Sequence, residues 1–238
     1  MKRHNKRYGA PTEKWGIPTK DGFWAPSSSS GSHPRDRSVP LVVVLRDLLK
    51  YTNSSREARI VIGERKVLID GKPETDHKAP VGLMDIVSLK DLDEHYRVLF
   101  DQRGKIKLLP VEEDEQHWKL CKIIGKTTLK DGITQYNLHD GRNFQDEEGG
   151  KYNTKDVLKI SIPEQKVMDN YIFKEGSMAM ITGGKHTGEI GTIKEYEVVK
   201  GPQPNLVHFE SGKSTVEKYV FMIGEDKPVI KIPEVGII

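Results

Sequence analysis

The chain first becomes periodic near residue 41. Leu41, Leu45, Leu48 and Leu49 fall at helical spacing, while Arg46 and Lys50, four apart, share another face. Ser38 and Pro40 suit the start of this helix, and Thr52-Asn53 marks its break. Ser54-Ser55-Arg56-Glu57 then reads as a capping box: Ser54 caps, and Glu57 reaches back three residues later. A second helix follows through Ala58, Val61 and Ile62, and Gly63 ends it. Arg56 and Arg59 sit three apart on one exposed face of that helix.

Beyond Gly63 the period becomes that of strands. Val67-Leu68-Ile69 runs into Asp70-Gly71, a strong hairpin signal. Pro80, Gly82 and Asp85 lead into Ile86-Val87-Ser88-Leu89, and Tyr96 to Phe100 pairs with Lys105 to Leu109 across Asp101-Gln102-Arg103-Gly104. From 110 to 170, Glu112-Glu113-Asp114-Glu115 suggests a solvated helix start. Short strand-like runs follow, separated by Asp131-Gly132, Asp140-Gly141 and Gly149-Gly150, the spacing of a small all-β module. Strands are expected again at 178–182, 190–195, 206–209 and 219–223. Gly183, Gly184, Gly188 and Gly191 cluster between the first two, and five short strands with glycine turns suit a small barrel.

Residues 1 to 40 lack either period. Gly9, Pro11, Gly16, Pro18, Gly22, Pro26, Gly31 and Pro34 prevent a core from forming there. The segment is nonetheless rich in potential contacts. Lys2, Arg3, Lys6, Arg7, Lys14, Lys20, Arg35 and Arg37 alternate with Tyr8, Trp15, Phe23 and Trp24. Basic side chains bind phosphates and aromatic faces stack on unpaired bases. Trp15 and Trp24 suit either base stacking or docking on the neighbouring domain.

Composition sharpens this division. The chain has 238 residues, 35% hydrophobic and 31% charged, which supplies small cores rather than one large one; two or three modules are expected. The net charge is only +3, yet residues 1 to 66 carry fourteen Lys or Arg against six Asp or Glu, a net of +8, leaving −5 for the rest. Positive charge concentrated in one region gains from counterion release on nucleic acid, whatever the overall charge. The single cysteine, Cys121, allows no internal disulfide and fits a reducing compartment. No Cys-rich zinc spacing is present, and neither metal nor cofactor is expected. No run approaches a membrane span, and the basic Met1 to Arg7 is not followed by the apolar region of a secretory signal, so a cytoplasmic protein is expected.

Residues 41 to 89 resemble the S-four-type RNA-binding domain through Leu45, Leu48, Ser55-Arg56-Glu57-Ala58, Val67-Leu68-Ile69-Asp70-Gly71-Lys72 and Asp85-Ile86-Val87. In that family the second helix and the adjoining loop present basic residues to structured RNA. The resemblance implies Arg56, Arg59, Arg65, Lys66 and Lys72 as contacts, with Arg46 and Lys50 nearby. Ser54 and Ser55 stand at a helix N-terminus, which attracts anions, and Arg forks match phosphate geometry. A second stretch, Glu175 to Lys194, resembles the KOW motif of ribosomal proteins and NusG-type transcription factors, with Ser177 where Asp is usual. Lys185, His186 and Thr187 form its loop tip, suited to RNA phosphate or to protein.

Together these modules resemble the ribosomal protein S-four-e family of archaea and eukaryotes. Gly31-Ser32-His33-Pro34-Arg35-Asp36-Arg37-Ser38-Val39-Pro40-Leu41, Leu45 to Tyr51, Ile69 to Lys72, Gly82 to Val87 and His139-Asp140-Gly141-Arg142 carry that likeness. The absence of a longer basic C-terminus points to an archaeal member. The resemblance implies an α+β, multidomain chain: a basic extension (1–40), an S-four-type RNA-binding domain (41–109), a central small β domain (110–170) and a C-terminal SH3-like KOW β-barrel (171–238). It implies a structural constituent of the small ribosomal subunit, partnered by small-subunit rRNA and neighbouring ribosomal proteins, with the barrel adding a second, tethered contact.

Two rivals are weighed. An RNA-modifying enzyme of the pseudouridine synthase type needs a large catalytic domain with a nucleophilic Asp; Arg46-Asp47-Leu48 matches neither its motif order nor its place. A free transcription or translation factor using the KOW barrel would not need the full four-part arrangement. Phosphate-loop hints at Gly184-Lys185 and Gly125-Lys126-Thr127 lack the upstream Gly, since positions 179 and 120 are Ala and Leu. His139-Asp140 before Gly141 reads as a turn rather than an acid–base pair. No catalytic residue is expected.

Overall fold

In the computed structural model the change of period at Gly63 is where helix gives way to strand. The structure describes residues 6–7, 13–18, 23–146, 150–225 and 227–232, with only the backbone described at 6, 7, 13 and 131. The chain is mostly β, in several sheets, with one multi-turn α-helix among the described residues. The helical share is smaller than an α+β reading implies.

The residues divide into two compact units, 1–99 with 105–119, and 100–104 with 120–238. In the first, β1 (Lys6–Arg7) pairs antiparallel with β2 (Trp24–Ala25). β3 (Ser38–Pro40) leads into α1 (Leu41–Val43), a single turn that widens into a π-helical turn over Val44–Leu48. The Leu49 N–H donates to the Val44 carbonyl, five residues back, at 2.9 Å. The run Val42-Val43-Val44 is a poor α-helix former because branching at Cβ restricts χ1. Leu41 and Leu45 are still buried, as the spacing predicts, but the helix stops at Lys50, φ 60°, ahead of the expected break.

α2 (Ser55–Gly63) starts as its sequence dictates. The Ser54 Oγ accepts from the Glu57 N–H at 3.2 Å, and Glu57 Oε2 accepts from the Asn53 N–H at 2.9 Å. The first bond satisfies one of the N–H groups left unpaired at this end, and the second holds Asn53, the residue before the cap. Ala58 and Ile62 face the core.

β4 (Val67–Ile69) turns into β5 (Lys72–Pro73) through Asp70 (φ 51°) and Gly71 (φ 74°), the two left-handed residues of a tight hairpin. β6 (Pro80–Gly82) pairs with β3. β7 (Ile86–Leu89), β8 (Glu94–Phe100) and β9 (Ile106–Pro110) complete a five-stranded sheet in the order β5-β4-β7-β8-β9. The acidic run shrinks to one 3-10 turn, Glu113–Glu115. Glu115 pairs there with Arg97, whose buried guanidinium donates to the Glu115 and Trp118 carbonyls and lies 4.6 Å from the Trp118 ring centre.

β10 (Trp118–Thr128) begins in the first unit and continues in the second. There Cys121 and Ile123 join Tyr136, Leu138, Tyr152, Leu158 and Ile160 in one core. β11 (Thr134–Leu138), β12 (Asn143–Asp146), β13 (Val157–Ser161) and β14 (Val167–Tyr171) build the sheet β12-β11-β10-β13-β14. A bulge between Ile123 and Gly125 turns Ile124 outward, 63% exposed.

β15 (Met178–Ile181), β16 (Ile190–Glu197), β17 (Leu206–Phe209), β18 (Ser214–Val216) and β19 (Val220–Gly224) form a second antiparallel sheet, order β18-β17-β16-β15-β19. β18 has no counterpart among the strands expected from periodicity: Ser211-Gly212-Lys213-Ser214 has no alternation to betray it.

Two lysines join these sheets. Lys122 Nζ, on β10, donates to the Glu217, Lys218 and Val220 carbonyls at 3.2, 3.2 and 2.6 Å. Lys155 Nζ reaches Tyr196 Oη at 2.7 Å and Glu217 Oε2 at 2.9 Å, and Asn205 donates to the same two oxygens. The last 60 or so residues are therefore bonded to the preceding sheet.

Candidate nucleic-acid interface

The capped α2 fixes which cations face outward. With Ala58 and Ile62 packed inward, Arg56 and Arg59 lie on the opposite, exposed face. Arg65 follows in a left-handed conformation (φ 59°), and Lys72 extends from β5; both are exposed. Among the described residues none forms an ion pair with Arg56, Arg59, Arg65 or Lys72. Arg59 lies near enough to His77 to help lower that imidazole's pKa, second to burial. Lys50 and Arg35 are exposed as well, and Arg37 is half-buried, 3.9 Å from Asp36.

Other residues expected at this face are engaged inside the protein. Lys66 Nζ sits 3.0 Å from both Asp91 and Glu64, and its hydrogen bonds to these carboxylates raise its pKa. Its charge is already neutralised. Arg46 makes a fork on Asp47, with both bonds 2.7 Å, and donates to Ser55 Oγ at 2.6 Å. Ser55 thus ties the π-helical turn to α2, and Ser54 is consumed by its cap. Trp15 is 2% exposed with its Nε1–H donating to the Ser38 carbonyl at 3.1 Å, so of its two readings docking is the one realised. Its ring is not available for base stacking. Trp24 is 54% exposed, edge-on to Phe23 at 4.7 Å. Lys2, Arg3 and Lys20 lie outside the described residues, as do the side chains of Lys6 and Arg7.

A buried charged cluster that sequence reasoning missed lies in the same unit. Lys119 Nζ lies 2.7 Å from Asp70 Oδ2 and 3.0 Å from Asp85 Oδ1. His33 Nε2 lies 2.9 Å from Asp85 Oδ2. Asp70 also accepts from the Ile86 N–H and Asp85 from the Gly82 N–H. All four side chains are almost fully buried. Burial acts to raise the Asp85 carboxyl, but Lys119 first and His33 second outweigh it and hold the group below the ordinary carboxylate range. The cluster binds His33 of the 31–37 entry segment to the β6–β7 turn and, through Lys119, to the β4–β5 hairpin. A Cβ on Gly82 would lie 2.3 Å from the His33 ring, so only glycine admits that ring. One signal was present: Lys119 interrupts the apolar run Trp118-Leu120.

In the second unit, Lys185 is exposed at the tip of the loop 183–188. His186 and Thr187 turn inward: Nδ1 of His186 is 3.3 Å from Glu189, and Thr187 Oγ1 donates to the Gly184 carbonyl at 2.8 Å. Glu189 also holds Lys213 at 2.8 Å; burial raises its pKa, but Lys213 and His186 bring it below the ordinary value.

Cys121, His139 and Asp140 place one donor atom each within 4.8 Å of one another. Hydrogen bonds account for this grouping. Asp140 accepts from Cys121 Sγ at 3.6 Å and from the Arg142 N–H at 3.2 Å, and Arg142 Nε stands 3.3 Å from its carboxylate. His139 Nδ1 accepts from the Lys122 N–H at 3.2 Å. A guanidinium on the carboxylate opposes a cation; His139 and Asp140 belong to the β11–β12 turn, and Cys121 reaches them from β10. Among the described residues no helix is long and apolar enough to cross a membrane.

Comparison with known proteins places the chain among ribosomal proteins. A family model described as ribosomal family S4e matches residues 92–167. The small ribosomal subunit protein eS4 of Methanothermobacter thermautotrophicus is 42% identical over 236 residues, covering 98% of this chain and 96% of that protein. The same-named protein of Methanocaldococcus jannaschii is 45% identical over 242 residues, covering 97% and 98%. Among solved structures, the 30S ribosomal protein S4e of Thermoplasma acidophilum matches with a TM-score of 0.69 and 33% identity, over 79% of this chain and 96% of that one. The chain belongs to the ribosomal S4e family.

Proposed function

We propose that the chain is a non-enzymatic, structural constituent of the small ribosomal subunit in the cytoplasm, where it binds rRNA and adjoins other small-subunit proteins. The observation that carries this reading is identity above 40% with archaeal small-subunit proteins over nearly the whole of both chains. The outward cations Arg56, Arg59, Arg65 and Lys72 supply the phosphate-contacting face; the α2 cap sets the two helical ones, and the buried Lys119 cluster pins the β4–β5 hairpin that carries Lys72. Rigidity matters because a pre-ordered cationic face loses little entropy on binding.

In this reading residues 41–109 act as an S-four-type RNA-binding domain reached through the 1–40 extension. Residues 110–170 serve as a central β domain, and 171–238 as an SH3-like KOW barrel. Lys122 and Lys155 support treating the latter two as one rigid arm. The test is filter binding of the purified full-length protein to small-subunit rRNA across a salt series, with tRNA as competitor. The expected result is binding that resists the competitor and falls linearly on a log–log salt plot. Equal affinity for tRNA and rRNA would overturn the reading.

A further inference from the structure

The glycine loop 183–188 and the segment 100–104 meet backbone to backbone within the second unit. Gly188 has φ 85°, and a Cβ there would stand 1.8 Å from the Asp101 carbonyl oxygen and 2.9 Å from the Gln102 nitrogen. A Cβ on Gly104, itself at φ 71°, would meet the Thr187 Cβ at 3.3 Å. No side chain fits at Gly188, and Thr187 packs against Gly104, so each tip fixes the position of the other.

Each tip is also closed by its own hydrogen bonds. The Gly104 N–H donates to the Asp101 carbonyl at 2.9 Å, and the Arg103 N–H to Asp101 Oδ1 at 2.8 Å. The Gly188 N–H donates to the Ile181 carbonyl at 2.7 Å. These bonds use the backbone and the short side chains and leave Arg103 and Lys185 exposed. The nearby carboxylates are engaged: Asp101 by the Arg103 N–H, Glu189 by His186 and Lys213.

We propose that these two tips form a single phosphate-contact surface for rRNA, with Arg103 and Lys185 as its two cations. The inference rests on the rRNA-binding reading above. Neither tip exposes a large apolar side chain: 101–104 reads Asp-Gln-Arg-Gly, 183–188 reads Gly-Gly-Lys-His-Thr-Gly, and Phe100 is buried. A protein interface draws on apolar and aromatic anchors at its centre. The glycines let the two tips seat against each other, which sets one Arg and one Lys on rigid turns to hold phosphates.

The test uses the full-length protein and small-subunit rRNA, comparing Arg103→Ala, Lys185→Ala and the double variant with wild type across salt. Each single change should weaken binding roughly two- to five-fold, as for an exposed ion pair. Each should also lower the magnitude of the log–log salt slope by about 0.7–0.9, and the double variant by about twice that. Arg103→Lys should restore the slope because it restores the charge. Wild-type affinity and slope in all of these variants, with Arg56→Ala still weakening binding, would overturn the composite surface and leave the rRNA reading standing. Failure of the wild-type protein to prefer rRNA would sink that reading itself. Variants that bind rRNA normally but fail to enter small subunits would assign the surface to a protein neighbour and refute the phosphate role.

Discussion

Lys119→Met is expected to cost about 3–5 kcal/mol of folding stability, because it leaves the Asp70 and Asp85 carboxylates buried without their cation. Lys119 is fully buried, and its two partners are 2.7 and 3.0 Å away. A loss of that size is a large part of the ~5–15 kcal/mol that holds a typical domain together. Urea denaturation at neutral pH measures it directly. Lys66→Met, which breaks an exposed pair, should change the midpoint little. The pH dependence has a definite sign. In the wild type Asp85 is held low, so its contribution is fully present above the ordinary carboxylate pKa of about 4 and is lost as pH falls toward its lower folded value. In the variant, burial no longer opposed by Lys119 acts to raise the Asp85 carboxyl. The stability gap between variant and wild type should therefore narrow as pH is lowered from 7 to 4. A gap that stays constant over that window would show that Lys119 does not set the charge state of the cluster.

The largest functional effect is expected from removing the four outward cations together, Arg56, Arg59, Arg65 and Lys72 to Ala. If each neutralises one phosphate, the salt slope should shrink by about 0.7–0.9 for every cation removed, roughly three in all. Affinity at low salt should fall by orders of magnitude while the urea midpoint is retained, since all four are exposed. The paired substitution Arg46→Ala, Lys66→Ala should leave the slope nearly unchanged, because Asp47, Glu64 and Asp91 already neutralise those two charges. A slope that drops more for the pair than for the four would reverse the assignment of the face.

This contrast shows what the sequence could and could not disclose. The capping box at Ser54-Glu57, the Asp70-Gly71 hairpin and the paired strands around Asp101–Gly104 are local signals, each set by a few adjacent residues, and they appear in the structure where expected. Partner choice is not local. Lys66 and Arg65 are adjacent in sequence, yet only Lys66 meets Asp91, which arrives from the β7–β8 turn. Arg46 is captured by its neighbour Asp47 and by Ser55 across a helix break. Trp15 is buried because its indole finds the Ser38 carbonyl 23 residues away. The Lys119 cluster joins residues 33, 70, 85 and 119, a set that no spacing rule collects. The π-helical turn at Val44–Leu48 was half legible: the leucine spacing marks the buried face, and the valine run is where the regular ladder gives way.

The bonded arrangement of the second unit bears on how the protein grips RNA. A flexible tether raises effective concentration but fixes no geometry. Lys122 on three carbonyls and Lys155 on Tyr196 and Glu217 hold the last sheet in one orientation to the preceding one. Whatever the 183–188 loop touches is then placed by the fold rather than by chance encounter.

The most direct test of the central claim is sedimentation of the native protein from a cell lysate on a density gradient, quantified against rRNA. Stoichiometric migration with the small ribosomal subunit, surviving moderate salt, is the expected result. Migration at the top of the gradient, or only trace occupancy of subunits, would contradict it.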